Sequence, residues 1–115
     1  MQLEDLIKAT QQFCEQRDWD QFHSPKELAI GLSTEANELL AIFRFLSESQ
    51  MQEALIHNKE AIADELADVL FFLLRFAQLH QIELVEAFLN KLDKNALKYP
   101  ISTSKGNNYK YNQSK

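Results

Sequence analysis

The sequence contains few of the residues that interrupt helices or form covalent cross-links. Among 115 residues there are two glycines, two prolines and one cysteine. The single cysteine, Cys14, excludes an intramolecular disulfide and a cysteine-rich zinc site. So few helix breakers, beside many leucines, alanines, glutamates and lysines, predict an all-α chain. The length fits one domain with a modest core.

Basic residues are scarce, and the charge is unevenly distributed. The chain has 12 Lys and Arg against 17 Asp and Glu, a formal net charge of −5. All the acidic residues lie within residues 1–100, whereas residues 101–115 carry Lys105, Lys110 and Lys115 and no acid. Nonspecific nucleic-acid binding requires cations that neutralise phosphates. We therefore expect no nucleic-acid partner.

The sequence also has no long uninterrupted apolar run. The longest apolar stretch, residues 66–79, contains Asp68, Arg75 and Gln78. It is too short and too charged to span a bilayer. The N-terminus has no apolar signal segment. These features predict a cytoplasmic protein without a membrane partner.

Apolar residues at helical spacing predict four helices, at about residues 3–17, 25–46, 59–80 and 83–98. Ser24 and Pro25 are typical of the start of the second helix. Residues 50–58 fit either a short helix or a loop. The third helix is apolar almost all round, which indicates burial by a second subunit as well as by its own core. We expect a helical domain over residues 1–100 and a polar, basic tail over residues 101–115, which is either flexible or closes over the active site.

Two pairs of acidic residues carry the strongest chemical signal. Glu35 and Glu38 are three residues apart, as are Glu65 and Asp68, so each pair lies on one helix face. The positions three and four residues from Asp68 hold two further acids and two phenylalanines, and no basic residue. Like charges this close destabilise a helix unless a cation compensates them. Carboxylate oxygens suit Mg²⁺ or Mn²⁺.

Other interpretations of the pattern lead to different classes of protein. Solvated acidic pairs are common on helices. If both pairs here are solvated, the chain would be a non-enzymatic helical interaction module. A di-iron carboxylate bundle needs Glu-x-x-His on two helices, and no Glu or Asp here has His three residues later. The sequence contains no phosphate-binding P-loop and no nucleophile elbow.

The ordered motifs resemble the MazG-like, all-α nucleoside triphosphate pyrophosphohydrolases, in particular their dCTP pyrophosphatase branch. The resemblance covers residues 3–111. The motifs that carry it are residues 17–26, 35–39, 64–70, 91–95 and 98–100.

This resemblance implies a fold, a reaction and a set of site residues. The fold is a four-helix MazG-like bundle that assembles as a homodimer or homotetramer. The reaction is Mg²⁺-dependent cleavage of a nucleoside triphosphate, dCTP-like by preference, to monophosphate and pyrophosphate, which cleanses the nucleotide pool. The implied metal ligands are Glu35, Glu38, Glu65 and Asp68. As the catalytic base we expect Glu35 or Glu38.

The resemblance also implies substrate-binding residues outside the acidic pairs. These are Trp19, Phe45, Phe72, Lys91 and Asn95. The chain departs from the dCTP branch at Thr10, Phe45 and Phe72, where relatives often carry His, Trp and Tyr. The alternative therefore stays open that this chain is a member of the same superfamily that acts on dUTP or on a phosphoribosyl nucleotide.

Overall fold

The computed structural model describes residues 1–108, and these residues fold into helices joined by short connections. A 3-10 helix, Asp20–Phe22, lies between the first two α-helices. The α-helices are α1 (Leu3–Gln16), α2 (Pro25–Phe43), α3 (Glu48–His57), α4 (Lys59–Leu79), α5 (Leu84–Lys98) and α6 (Ile101–Ser104). The predicted all-α fold is thus confirmed for the described part of the chain.

The chain divides into two units of contacting residues. The first is Met1–Gln81 and contains α1 to α4, whereas the second begins at Ile82 and contains α5 and α6. No helix in the described range has the length and apolarity that crossing a membrane requires.

α3 is the helix that the periodicity of the sequence left undecided. Its first turn is held by a reciprocal pair of hydrogen bonds. The Ser47 backbone N–H donates to Gln50 Oε1 at 2.8 Å, and the Gln50 N–H donates to Ser47 Oγ at 3.3 Å. Such a capping box satisfies two backbone donors that a helix start otherwise leaves unpaired. Ser-x-x-Gln at residues 47–50 was therefore the local signal for this helix.

Helix α4 is the centre of the first unit, because α1, α2 and α3 all pack against it. It packs most extensively against α2, and Gly31 lies at this contact. A Cβ atom at Gly31 would lie 2.4 Å from Phe72 Cε1, a distance that real side chains do not reach. The absence of a side chain at Gly31 thus lets the Phe72 ring fill the space between the two helices.

The buried core of the first unit is small. Its apolar members are Cys14, Leu28, Ala54, Ile62, Leu74 and Ala77. Several large apolar side chains of α4 are instead exposed, among them Leu66, Leu70 and Leu73. The helix predicted to be apolar almost all round is therefore only partly covered within residues 1–108.

The connection from α1 to α2 makes a tight turn. Asp18 has φ +55°, and the Trp19 N–H donates to the Cys14 carbonyl at 3.0 Å. Ser24 then caps α2, its Oγ accepting from the Glu27 N–H at 3.2 Å. Ser24 and Pro25 thus begin this helix as the sequence predicts.

In the second unit, Glu83 caps α5 with its carboxylate, which accepts from the Glu86 N–H at 2.8 Å. The polar tail predicted from residue 101 begins with one helical turn, α6. Lys110 and Lys115 lie outside the described residues.

Candidate metal centre

The two acidic pairs lie on the two helices that meet at Gly31 and Phe72. Glu35 is one turn after Gly31 on α2, and Asp68 is one turn before Phe72 on α4. Gly31 meets Phe72, and Glu35 lies near Asp68. Advancing along α2 thus corresponds to stepping back along α4, so the two helices run antiparallel and their acidic residues face each other. Carboxylate oxygens of Glu35, Glu65 and Asp68 lie within 4.8 Å of one another.

Glu38 lies outside this group of three. It is exposed, one turn beyond Glu35 on α2. Its charge still acts on the group, because it contributes to raising the pKa of Glu65. The structure thus brings three of the four predicted ligands together and leaves Glu38 beside them.

Glu65 carries the electrostatic strain of the group. Its Oε2 atom is buried and has no hydrogen-bond partner. Desolvation is the largest cause that raises the pKa of Glu65, followed by the hydrogen-bonding influence of the Glu35 carboxyl group and by its charge. The charges of Glu38 and Asp68 raise this pKa further. Within residues 1–108, no cation is among the causes that act on Glu65.

Such a group fits a divalent cation. Three carboxylates converge, and one buried oxygen lacks any donor, so a positive charge is the missing partner. Hard oxygen donors of this kind hold Mg²⁺ or Mn²⁺.

Two of the three aromatic residues predicted to bind substrate, Trp19 and Phe72, are connected by a row of ring contacts. The Trp19 ring meets Phe13 at 5.5 Å, Phe13 meets Phe71 at 5.9 Å, and Phe71 meets Phe72 at 5.4 Å, all edge to face. Such contacts fix ring positions and stabilise a core beyond the buried area alone. The row runs from the turn after α1 to the helix that carries Asp68.

The third aromatic residue, Phe45, stands apart from this row. It follows α2, its side chain is 83% exposed, and the Arg44 guanidinium lies 4.8 Å from its ring centre. A ring this exposed has little to stack on within its own chain.

An apolar groove of about 340 Å³ lies between α1 and α4. Its walls include Phe13, Phe71 and Leu74, and its polar member is Thr10. The Thr10 hydroxyl donates to the Leu6 carbonyl at 2.8 Å, so its proton is already used. Ala67 and Phe71, which line the groove, lie within three residues of Asp68 along α4, but none of the three carboxylates lines the groove itself.

Lys91 and Asn95 lie one turn apart on α5, in the second unit. Lys91 is exposed and Asn95 is half-buried. Their roles toward phosphate or sugar stay predictions of the sequence.

One polar cluster was missed from the sequence. Arg75, noted only as an interruption of the apolar run, is completely buried and bonds Asp20, His23 and Gln78. A charged residue inside an apolar helix was the available signal, because a buried guanidinium requires partners. The identity of those partners depends on the turn after α1, which periodicity does not describe.

The chain belongs to the MazG-like family, whose profile matches residues 30–113. The resemblance predicted from the ordered motifs is thereby confirmed.

Individual relatives carry more specific names. The chain is 35% identical over 111 residues to dCTP pyrophosphatase 1 of Rattus norvegicus and 32% identical over 113 residues to that of Homo sapiens. These matches cover 95% and 96% of this chain but 65% and 66% of the relatives. The chain thus spans about two thirds of the length of these proteins. Among solved structures, a pyrophosphatase from Archaeoglobus fulgidus matches with a TM-score of 0.80 and 38% identity, covering 84% of this chain and 91% of that one.

Proposed function

We propose that the chain is a Mg²⁺-dependent nucleoside triphosphate pyrophosphohydrolase. The observation that carries the proposal is the group of Glu35, Glu65 and Asp68, with its buried, unpartnered oxygen, in a member of the MazG-like family. The names of the relatives, dCTP pyrophosphatase and pyrophosphatase, support the same reaction. The products are the nucleoside monophosphate and pyrophosphate.

The carboxylates have distinct proposed tasks. Glu35, Glu65 and Asp68 hold the metal, with Glu38 as the fourth ligand or as the group that orients and deprotonates the attacking water. Bound Mg²⁺ supplies charge neutralisation at the phosphate oxygens and a lower pKa for a water ligand. The oxygen of water forms a new bond to phosphorus, and the bond that joins the α and β phosphates breaks. The proton from water passes to the carboxylate base, Glu38 or Glu35.

The aromatic row and the groove are the proposed place of the base. Trp19 is partly exposed, Phe72 lies one turn after Asp68 on α4, and the groove has apolar walls. A dCTP-like base is the proposed preference, because the curated relatives carry that name. Lys91 is proposed to neutralise the leaving pyrophosphate and Asn95 to contact the sugar.

The proposed assembly is a homodimer or homotetramer in the cytoplasm. Exposed apolar side chains on α4 and the exposed Phe45 ring support the oligomer, since large apolar patches on soluble proteins mark interaction sites. With a partner subunit over it, Phe45 gains a surface on which to stack.

The activity is tested with the purified full chain and a panel of ribo- and deoxyribonucleoside triphosphates, including methylated and oxidised bases. Monophosphate and pyrophosphate should appear in equal amounts with Mg²⁺ and not with EDTA. Release of orthophosphate, or no turnover of any nucleotide, contradicts the proposal. Thermal unfolding that neither Mg²⁺ nor a nonhydrolysable dCTP analogue shifts favours the interaction module instead.

Glu38→Gln separates the two proposed tasks of Glu38. If Glu38 is the base, kcat falls by about 100-fold or more, while the Mg²⁺ concentration for half-maximal stabilisation stays unchanged. If Glu38 is a ligand, that concentration rises as well. Asp68→Asn is the matched control, since it should change both quantities. Wild-type kcat in Glu38→Gln contradicts both roles.

A further inference from the structure

Arg75 is the most deeply buried charged residue in the described chain, and two of its three hydrogen-bond partners lie outside its own helix. Its side chain is 0% exposed, so the guanidinium must be paired to be tolerated there. Nε donates to His23 Nδ1 at 3.0 Å, Nη2 donates to the Asp20 carboxylate, and Nη1 donates to Gln78 Oε1 at 2.5 Å. Two of these acceptors belong to the turn of residues 18–23, named here the Trp19 turn.

Local hydrogen bonds give the Trp19 turn its shape but do not fix it to α4. The Phe22 N–H donates to the Trp19 carbonyl at 2.9 Å, and the His23 N–H donates to the Asp20 carbonyl at 3.2 Å. Within residues 1–108, the hydrogen bonds that join this turn to α4 are the two from Arg75. The Trp19 ring itself packs against the Phe13 ring and the His23 ring, whose centre is 6.1 Å from that of Trp19.

The same helix carries the metal group. Arg75 is seven residues after Asp68 on α4, which places it about 10 Å along the helix axis. Helix α4 therefore carries Asp68 and, through Arg75, also holds the Trp19 turn. A planar guanidinium with donors in fixed directions defines the distance and angle of the turn better than a flexible ammonium does.

We propose that Arg75 is a positioning residue that holds the Trp19 turn at a fixed place relative to the carboxylates, so that Trp19 can receive the nucleobase. This inference rests on the proposed function for the role of Trp19. Arg75 acts through Asp20 and His23 and does not touch the substrate.

The hydrogen bond to His23 requires a defined protonation state. Nδ1 accepts the Arg75 N–H only when it carries no proton. Burial lowers the pKa of His23, Arg75 from α4 lowers it further, and Asp20 from the turn opposes them. Acidification below the ordinary value of 6.5 therefore puts a second positive charge against Arg75 and loosens the turn.

The first test uses the fluorescence of Trp19, the only tryptophan in the chain. In the full-length protein without nucleotide, Arg75→Lys should raise the acrylamide quenching constant of Trp19 about two-fold, because donors on a single nitrogen cannot reproduce the planar spread of donors of the guanidinium. Gln78→Met removes the contact within α4 and should leave quenching at the wild-type value. Equal quenching in wild-type and Arg75→Lys overturns the proposal.

A second variant guards against a folding defect. Asp20 is 53% exposed, so Asp20→Ala removes both the ion pair and its hydrogen bond without emptying the core. It should raise quenching in the same direction as Arg75→Lys. A folded Asp20→Ala protein with wild-type quenching overturns the proposal.

Activity supplies the third readout. Arg75→Lys should raise KM for the best nucleotide about ten-fold and change kcat less than three-fold, because base placement is lost and the carboxylates stay. Gln78→Met should keep the wild-type KM. A loss confined to kcat, or an equal rise of KM in both variants, contradicts the proposal. If the wild type hydrolyses no nucleotide, the proposed function fails, and the quenching experiment still decides whether Arg75 holds the turn.

His23→Asn tests the role of the histidine acceptor. Asparagine offers an oxygen near the position of Nδ1 and does not titrate. Quenching of wild-type Trp19 should rise as pH falls from about 7.5 to about 5, whereas that of His23→Asn should change little. The same pH response in both proteins overturns the assignment to His23.

Discussion

At the scale of single residues, Glu65 is where a proton and the proposed metal ion would compete. Its buried oxygen has no donor, and its pKa is raised by desolvation and by the neighbouring carboxylates. Protonation of Glu65 and binding of a divalent cation would each relieve this charge. Binding of Mg²⁺ should therefore release a proton and strengthen as pH rises.

The sign of the pH effect follows from this raised pKa. In the unfolded chain Glu65 titrates near 4.5, and in the fold it titrates higher. Between these two values the folded state binds more protons than the unfolded state, so the metal-free protein loses stability as pH rises. The favourable contribution is complete below 4.5 and is lost above the folded-state pKa.

Glu65→Gln should abolish this contribution. With EDTA near pH 7.5 the variant should unfold at a higher temperature than the wild type, and the difference should shrink toward about pH 4.5. Mg²⁺ should raise the Tm of the wild type and leave that of the variant unchanged. Thermal unfolding of both proteins across this pH range is the measurement. A variant less stable than wild type at neutral pH without metal contradicts the strain at Glu65.

The acidic residues show how far a sequence can predict a site. The three-residue spacing and the lack of nearby cations indicated which residues could hold a metal. These two features of the sequence did not indicate that Glu65 carries the buried oxygen or that Glu38 lies outside the group of three carboxylates. Those facts depend on the relative rotation of α2 and α4, which the contact of Phe72 with Gly31 sets.

At the scale of helices, the contact at Gly31 controls how closely α2 and α4 approach. Gly31→Ala should lower the free energy of unfolding by about 1 kcal/mol. Alanine favours the helix by roughly 1 kcal/mol, but the new Cβ would overlap the Phe72 ring, and overpacking costs about 1–3 kcal/mol. Denaturant unfolding measures the net change.

Two further proteins make this prediction specific. Ser33→Ala, at an exposed position of α2, should be neutral or slightly stabilising, because only helix propensity changes there. In a Phe72→Leu background the cost of Gly31→Ala should fall by more than about 0.5 kcal/mol. Additive effects of the two substitutions would show that Phe72 is not what Gly31 accommodates.

The helices themselves were predictable to within a few residues, apart from α3 and the single turn α6. Four were visible because their apolar residues repeat every three to four positions. The apolar pattern of α3 is weak, so its existence rests on the Ser47 and Gln50 cap and on packing against α4. Propensity alone does not decide so short a helix.

At the scale of the whole molecule, one side of α4 exposes apolar residues that the described part of its own chain leaves partly uncovered. Leu66, Leu70 and Leu73 are 53%, 39% and 38% exposed and recur at four- and three-residue steps, so they form one stripe. The sequence predicted that this helix is buried on more than one side. Helices α1, α2 and α3 pack against α4, and a second copy of the chain is the proposed cover for this stripe.

Leu73→Lys tests that cover. In a symmetric dimer the same stripe meets itself, so one substitution places two lysines in the interface and opposes association. We expect the wild type to sediment as a dimer or tetramer at micromolar concentration and Leu73→Lys as a smaller species. Leu55→Lys, at a 47% exposed position of α3, is the matched control and should keep the wild-type mass. A wild type that is monomeric, or a Leu73→Lys protein of unchanged mass, would contradict this use of the stripe, since exposed leucines that cover nothing do not respond to charge.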